Sequence, residues 1–199
     1  YLHYDNDDHS FPTRSETVDS RGSSITSTMV YPEDVGSPVP TEVQGLISEH
    51  RLGELLEKST VVENNGELLS SSAKVTQYGN WNGQILPQDI LTVKNAVVES
   101  RVVYHEYDEY DNPVQVSKTD GPSTYYVWGY HGKYPIAEIV NADYDAMSTS
   151  QKNLISEIKT ASNSDVDNCR EPACLEEIMR EKQRELREEF PDSQVTTYT

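Results

Sequence analysis

Apolar and polar residues alternate through much of residues 46–142, which is the period of a β-strand with one face toward solvent. The alternation is clearest where Val114 and Val116 flank Gln115. Residues typical of tight turns interrupt it repeatedly, and the Asn-Gly pair at 65–66 is a strong hairpin signal. We therefore predict antiparallel β-structure over residues 46–142.

The turn signals divide this region into strands of unequal length. A bend is expected near Gly53, and Pro87 marks a strand edge or boundary because proline cannot donate a hydrogen bond to a neighbouring strand. Another turn is expected near Asn95. The predicted strands are 46–62 (one or two strands), 67–78, 90–96 and 97–106, followed by three short strands within Val102–Val140 whose turns lie at 110–113 and 120–122.

The period changes from two to 3.6 in residues 143–192, which predicts helices. Ser148 or Thr149 is suited to cap a helix that runs to about Ala161. After a polar link, Glu171-Pro172 opens a second helix that ends at Pro191. We predict a helical hairpin inserted between consecutive strands, with residues 193–199 starting the next strand. The apolar stripe expected on the second helix consists of Leu175, Ile178, Met179, Leu186 and Phe190.

Residues 1–45 have a different composition from the rest. Acidic residues, Ser, Thr and Pro are frequent there, and the basic residues are Arg14 and Arg21. This composition favours irregular or extended chain, although Ser24–Tyr31 is expected to form one strand. The sequence thus divides into an acidic segment (1–45), a β-region (46–142), a helical hairpin (143–192) and the start of a strand (193–199).

The net charge of the chain limits the classes of partner that it can bind. Its 16 basic and 34 acidic residues give a net charge of -18, which argues against binding to nucleic acid or to an anionic membrane surface. No apolar run reaches the roughly 18 residues of a membrane span, so membrane insertion is not expected. Because the chain begins with Tyr1 and stops within an apparent strand, we expect a fragment of a longer protein.

The central stretch also contains a recognisable motif. Its parts, in order, are Tyr107-Asp108, Asp111-Asn112-Pro113, Asp120-Gly121, Tyr126–Tyr130 (YVWGY) and Tyr134–Ala137 (YPIA). This pattern resembles the YD repeat of bacterial RHS-type proteins, most strongly over about residues 97–142. Asp111 stands where that family usually has Gly, at a position expected to need a left-handed backbone, which Asp tolerates better than most residues.

The resemblance implies a fold and a role. The fold would be antiparallel YD-repeat strands of a wound sheet or shell, with the helical hairpin inserted near the C-terminus. The role would be that of a non-catalytic structural segment of a large exported protein, outside the cell or on its surface, and some such proteins carry a C-terminal toxin. Its partners would be neighbouring repeats of the same chain, and a secretion apparatus or surface proteins, with no cofactor or metal. The residues expected to build its structural turns are Tyr107, Asp108, Asp111, Asn112, Pro113 and Gly121.

The sequence also allows an enzymatic interpretation. Paired carboxylates such as Glu106 with Asp108 suggest hydrolysis of a polysaccharide, but no cleft can be inferred from them. His105, Asp108 and His131 can also be combined with Ser117 or Ser123 into a hydrolase triad. The sequence contains no nucleophile elbow of the GxSxG type, however. We therefore expect a surface histidine at position 105 and a turn-forming carboxylate at position 108, and we keep the polysaccharide-directed hydrolase as an alternative function.

The aromatic residues and the cysteines leave further alternatives open. Trp128 and Tyr130 are expected either to stack within the sheet or to contact a glycan, as in a carbohydrate-binding or adhesion module. Cys169 and Cys174 are consistent with a local disulfide of an exported protein or with free thiols. A metal site would need two more ligands, and no histidine lies nearby.

Overall fold

A computed structural model describes residues 1–168 and 176–198. The fold is mainly β, its strands pair antiparallel, and helices accompany them, which confirms the predicted fold class at this level. The chain divides into two compact units, Tyr1–Val103 and Tyr104–Thr199. Cys169 and Cys174 lie outside the described residues.

The first unit is an antiparallel meander in which each strand pairs with the next in sequence. Three of its turns consist of two residues with positive φ, which suits the twist of the flanking strands. They are 65–66 (φ 51° and 81°), 82–83 (51° and 95°) and 95–96 (48° and 67°). The strands are β1 (Leu2–His3), β2 (Arg14–Val18), β3 (Ser24–Val30), β4 (Glu57–Asn64), β5 (Glu67–Trp81), β6 (Gln84–Lys94) and β7 (Val97–Tyr107), whose last residues enter the second unit.

The strand expected at Ser24–Tyr31 is present as β3, and residues 1–45 also contain β1, β2 and the start of helix α1 (Thr41–Ser48). One expectation for this unit was wrong. The segment 46–48 belongs to α1 rather than to a strand. Val43 and Leu46 are three residues apart and both face an apolar cluster, so helical spacing is what buries them together.

The core of the first unit is small. Leu46 of α1 is buried together with Leu56 and Ile85. Gly45 allows the close approach, since a Cβ atom there would lie 2.8 Å from Ile85 Cγ1. Pro87 is tolerated within β6 because the register of β5 and β6 shifts beside it. Elsewhere the sheet is exposed to solvent, and no described residue of β4 or β7 is fully buried.

The second unit contains the three strands predicted within the central stretch, and a fourth strand that pairs antiparallel with the third. The two helices lie between these last two strands in sequence, which confirms the predicted helical insertion. The elements are β8 (Pro113–Lys118), β9 (Ser123–Gly129), β10 (Tyr134–Val140), α2 (Thr149–Asn168), α3 (Glu176–Glu189) and β11 (Gln194–Thr197).

Helix α2 begins where the sequence predicted but runs further. Ser148 Oγ accepts from the Gln151 amide at 3.1 Å while Gln151 Oε1 accepts from the Ser148 amide at 2.9 Å, which is a reciprocal capping box. The expected end near Ala161 was wrong, and the helix continues to Asn168. No glycine or proline stands between residues 149 and 168 to end it.

The core of the second unit lies between its sheet and the two helices. Val127, Ile136 and Ile139 of the sheet are fully buried, as are Ile158 of α2 and Leu186 of α3. Of the stripe predicted for the second helix, Met179, Leu186 and Phe190 are buried, whereas Ile178 is 46% exposed. Leu175 and the predicted helix start at Glu171-Pro172 lie outside the described residues. Among the helices that the structure describes, none has the length and apolar character to cross a membrane.

Candidate functional site

The turn between β7 and β8 is organised by the carboxylate of Asp108. Its Oδ1 accepts hydrogen bonds from the backbone amides of Tyr110 and Asn112, both at 2.9 Å. Its Oδ2 accepts from Asn112 Nδ2 at 3.2 Å. Asp111, between them, has a φ of 64°, the left-handed conformation that the sequence predicted for it. The carboxylate therefore holds the loop closed from inside.

Asn112 connects this turn to the next one in the chain. Its Nδ2 also donates to the carbonyl oxygen of Gly132 at 2.8 Å, in the turn between β9 and β10. Gly132 has a φ of 75°, and a Cβ atom there would lie only 2.3 Å from the ring of Tyr110. Two consecutive turns of the repeat-like stretch are thus joined by one amide side chain and one close packing contact.

The turn between β9 and β10 has an unusual backbone. Tyr130, His131 and Gly132 all have positive φ (53°, 57° and 75°), which is uncommon for bulky residues. Helix α2 supports this conformation, because Ser162 Oγ accepts from the Tyr130 amide at 3.2 Å and Asn163 Oδ1 accepts from the His131 amide at 2.7 Å. We call the two connected turns and these helix contacts the turn junction.

Gly129 explains how α2 reaches the turn junction. A Cβ atom at this position would lie 2.3 Å from Ser162 Oγ and 2.8 Å from Ile136 Cδ1, so no other residue fits without movement. Ser162 is fully buried and also donates to the carbonyl of Lys159 at 2.8 Å. The glycine of the YVWGY segment therefore permits helix and strand to touch.

Trp128 and Tyr130, the two aromatic residues proposed for glycan contact, make polar contacts within the second unit. Trp128 Nε1 donates to the carbonyl of Pro113 at 2.9 Å, which ties β9 to the start of β8. The hydroxyl of Tyr130 lies 3.3 Å from Met179 Sδ on α3. A more accessible aromatic surface lies beside them, where Tyr134 is 64% exposed and Tyr198 is 41% exposed.

A cavity of about 310 Å³ opens beside the turn junction. Asp108 and Glu109 line it from one side, and Lys159 and Asn163 from α2. Asp108 and Asn163 already accept hydrogen bonds from backbone amides there. These bonds position the backbone of the two turns.

The candidate triad is brought together only in part. His105 Nε2 lies 2.8 Å from Ser117 Oγ, and this contact is exposed to solvent. Asp108 is committed to its own turn, and His131 lies in the next turn, where its amide is held by α2. The geometry is that of a cross-strand polar pair.

Other predicted site residues have local roles. Tyr107 ends β7, and its ring stacks on that of Tyr104 with centroids 5.7 Å apart. At the turn after β8 the left-handed residue is Asp120, with a φ of 57°, while the amide of Gly121 donates to the Lys118 carbonyl at 2.9 Å. The described residues contain no cluster of His, Cys, Asp or Glu with the geometry of a metal site.

Tyr125 and Glu106 are among the ionisable groups of this unit whose pKa values are shifted. Burial raises the pKa of Tyr125 far above its usual range, and the nearby Glu106 carboxylate adds to the shift. The Tyr125 ring stacks on Tyr144 with centroids 5.4 Å apart. Partial desolvation raises the pKa of Glu106, against the opposing effect of Lys159. Desolvation by packing is the largest cause of both shifts.

The helix residues of the turn junction were not identified from the sequence. Ser162 and Asn163 are 32 residues from the amides that they accept, and nothing local in the sequence marks them. Comparisons with protein-family models, with curated proteins and with solved structures find no match to this chain. The resemblance to the YD repeat therefore rests on the residues of the motif themselves.

Proposed function

We propose that this chain is a non-catalytic structural segment of a large exported RHS/YD-repeat protein, in which it forms part of a β-scaffold or shell. The observation that carries the proposal is the turn junction. The residues that make the motif recognisable, Asp108, Asn112, Trp128 and Gly129, each make or permit a contact within the unit. A repeated structural unit requires a motif whose residues stabilise the turns of that same unit.

The sheet of the second unit also supports this role. Within the described residues, β11 pairs with β10 and has no partner on its other side. An open strand edge is a site of further pairing. In a repeat scaffold that edge is continued by the next strand of the same protein, and the shell so formed would serve as a surface structure or a toxin carrier.

The complete natural protein tests the scaffold proposal. Its structure by electron cryo-microscopy should show the outer edge of β11 paired with another strand and the turn junction intact. Ser117→Ala and His105→Ala should leave any activity of the complete protein unchanged. A β11 edge left in solvent, or lost turnover in a folded His105→Ala variant, would contradict the proposal and favour the hydrolase alternative.

A second candidate function, binding of carbohydrate, is favoured by one observation. Tyr130, Tyr134, Pro135 and Tyr198 line a shallow cavity of about 440 Å³, and flat aromatic faces of this kind suit the apolar face of a sugar ring. A glycan array should then lose its signal with Tyr134→Ala and keep it with the control Tyr4→Ala, an exposed tyrosine of the other unit. Equal binding by both variants would exclude this surface.

A further inference from the structure

One face of the sheet in the first unit has a charge opposite to that of the whole chain. Lys58, Lys74, Lys94 and Arg101 line the same open cavity of about 810 Å³ over β4 to β7. The chain as a whole has a net charge of -18. We call this surface the basic face.

The three lysines of the basic face have no ion-pair partner among the described residues. Lys58 on β4 stands directly opposite Lys74 on β5, and all three side chains are exposed. Like charges in directly opposed cross-strand positions repel each other and destabilise the pair. The fold therefore places two positive charges in opposed positions where they repel each other.

The acidic groups that line or border this face are already paired. Glu54 accepts from Arg51 Nη2 at 2.8 Å and from the hydroxyl of Tyr78 at 2.9 Å. Glu99 forms an ion pair with Arg101. The positive charge that remains for a ligand is thus that of Lys58, Lys74 and Lys94.

We propose that the basic face binds an acidic polypeptide segment that also carries apolar side chains. Charge complementarity gives the acidic part, because carboxylates would neutralise three unpaired ammonium groups. The apolar part follows from the surroundings of the lysines, where Leu55 is 38% exposed and Ile90 lines the same cavity.

The apolar side chains beside the lysines favour a peptide over an anionic polysaccharide, which has no apolar side chains to place there. Lys94 lies on β6 opposite Ser72, two residues along β5 from Lys74. Neighbouring strands are about 4.8 Å apart and residues rise about 3.4 Å along a strand, so the three Cα atoms lie within about 12 Å of one another. A few neighbouring carboxylates of one peptide segment can therefore reach all three ammonium groups.

The test measures binding of a fluorescein-labelled (Glu-Glu-Leu)4 peptide by anisotropy, at about 0.1 M salt where the Debye length is about 10 Å. The face variant replaces Lys58, Lys74 and Lys94 with Thr. The control variant replaces Arg21, Lys118 and Lys133 with Thr, which are exposed in the structure and change the net charge by the same amount.

The face variant should bind at least about tenfold more weakly than the natural chain, and the control variant should stay within about twofold. Thermal unfolding of the face variant should not be impaired, because a repulsive pair has been removed. Equal losses in both variants would overturn the proposal, since net charge would then explain binding. Absence of peptide binding would also overturn it, and face-dependent binding of polygalacturonate in its place would assign the face to a polysaccharide.

Discussion

Replacement of Asp108 by alanine should destabilise the second unit by about 2 kcal/mol. The side chain accepts three hydrogen bonds, two from backbone amides at 2.9 Å and one from Asn112 at 3.2 Å. A net hydrogen bond contributes about 0.5–1.5 kcal/mol, and those to charged groups contribute more. Because the turn is partly open to water, which replaces some of the lost bonds, we take a value near the lower end for each bond.

Two further variants separate the causes of this loss. Asp108→Asn keeps an oxygen for the two backbone amides but turns an NH2 group toward Asn112 Nδ2, so it should cost about 1 kcal/mol. Asn112→Ala removes the bonds to Asp108 and to the Gly132 carbonyl and should also cost about 1–2 kcal/mol. The double variant should show a coupling of about 0.5–1 kcal/mol, because the two side chains share one bond.

The assay is urea unfolding followed by tryptophan fluorescence. The chain has two tryptophans, Trp81 in the first unit and Trp128 in the second. A Trp81→Phe background therefore makes the fluorescence a reporter of the second unit. Glu109→Ala is the matched control, since it removes an exposed carboxylate from the same turn and should change stability by less than about 0.5 kcal/mol. A loss for Asp108→Ala no larger than for this control, or zero coupling, would refute the reasoning.

Two predictions concern the first unit. Ala96→Gly should raise its free energy of unfolding by about 1 kcal/mol, because φ at Ala96 is 67°, and Gly66→Ala should lower it similarly at an open site with φ 81°. A change of the same sign in both, measured by urea unfolding, would contradict the backbone explanation. Burial acts to raise the pKa of Asp34, but hydrogen bonds from Asn6 and the Tyr31 amide outweigh it and lower the pKa below 3.8. The ionised carboxylate therefore stabilises the fold above pH 3.8 and loses this effect as the pH falls through the lowered pKa, so the stability gap between the natural chain and Asp34→Asn should narrow below pH 4, and a gap independent of pH would contradict it.

The turns and strands that the sequence predicted are those set by local chemistry. Asn-Gly at 65–66 adopts positive φ at both residues, and Asp111 has the left-handed backbone expected of it. Both depend on the intrinsic conformational freedom of one or two residues, which a single sequence displays directly. The helical insertion was also visible, because a change of period needs no tertiary information.

The features that sequence reasoning missed depend on contacts between distant residues. Helix α1 has only eight residues, and its place is set by burial of Leu46 against Leu56 and Ile85. Short helices draw their stability from such packing rather than from propensity. The support of the turn after β9 by Ser162 and Asn163 is of the same kind, since it joins residues that only the folded chain brings together.

The two kinds of polar residue in this chain have different consequences for function. In the turn junction, Asp108, Asn112 and Ser162 bond to backbone groups, so their positions determine how strands and helix meet. On the basic face, Lys58 and Lys74 form no ion pair with any described residue and repel each other. They therefore do not help to position the strands. Polar side chains that bond to the backbone explain the shape of the fold. Charged side chains that repel each other do not stabilise it, so they are the better candidates for contacts with a partner. Binding of a partner is therefore expected on the open sheet of the first unit, whereas the proposed scaffold role rests on the motif of the second unit.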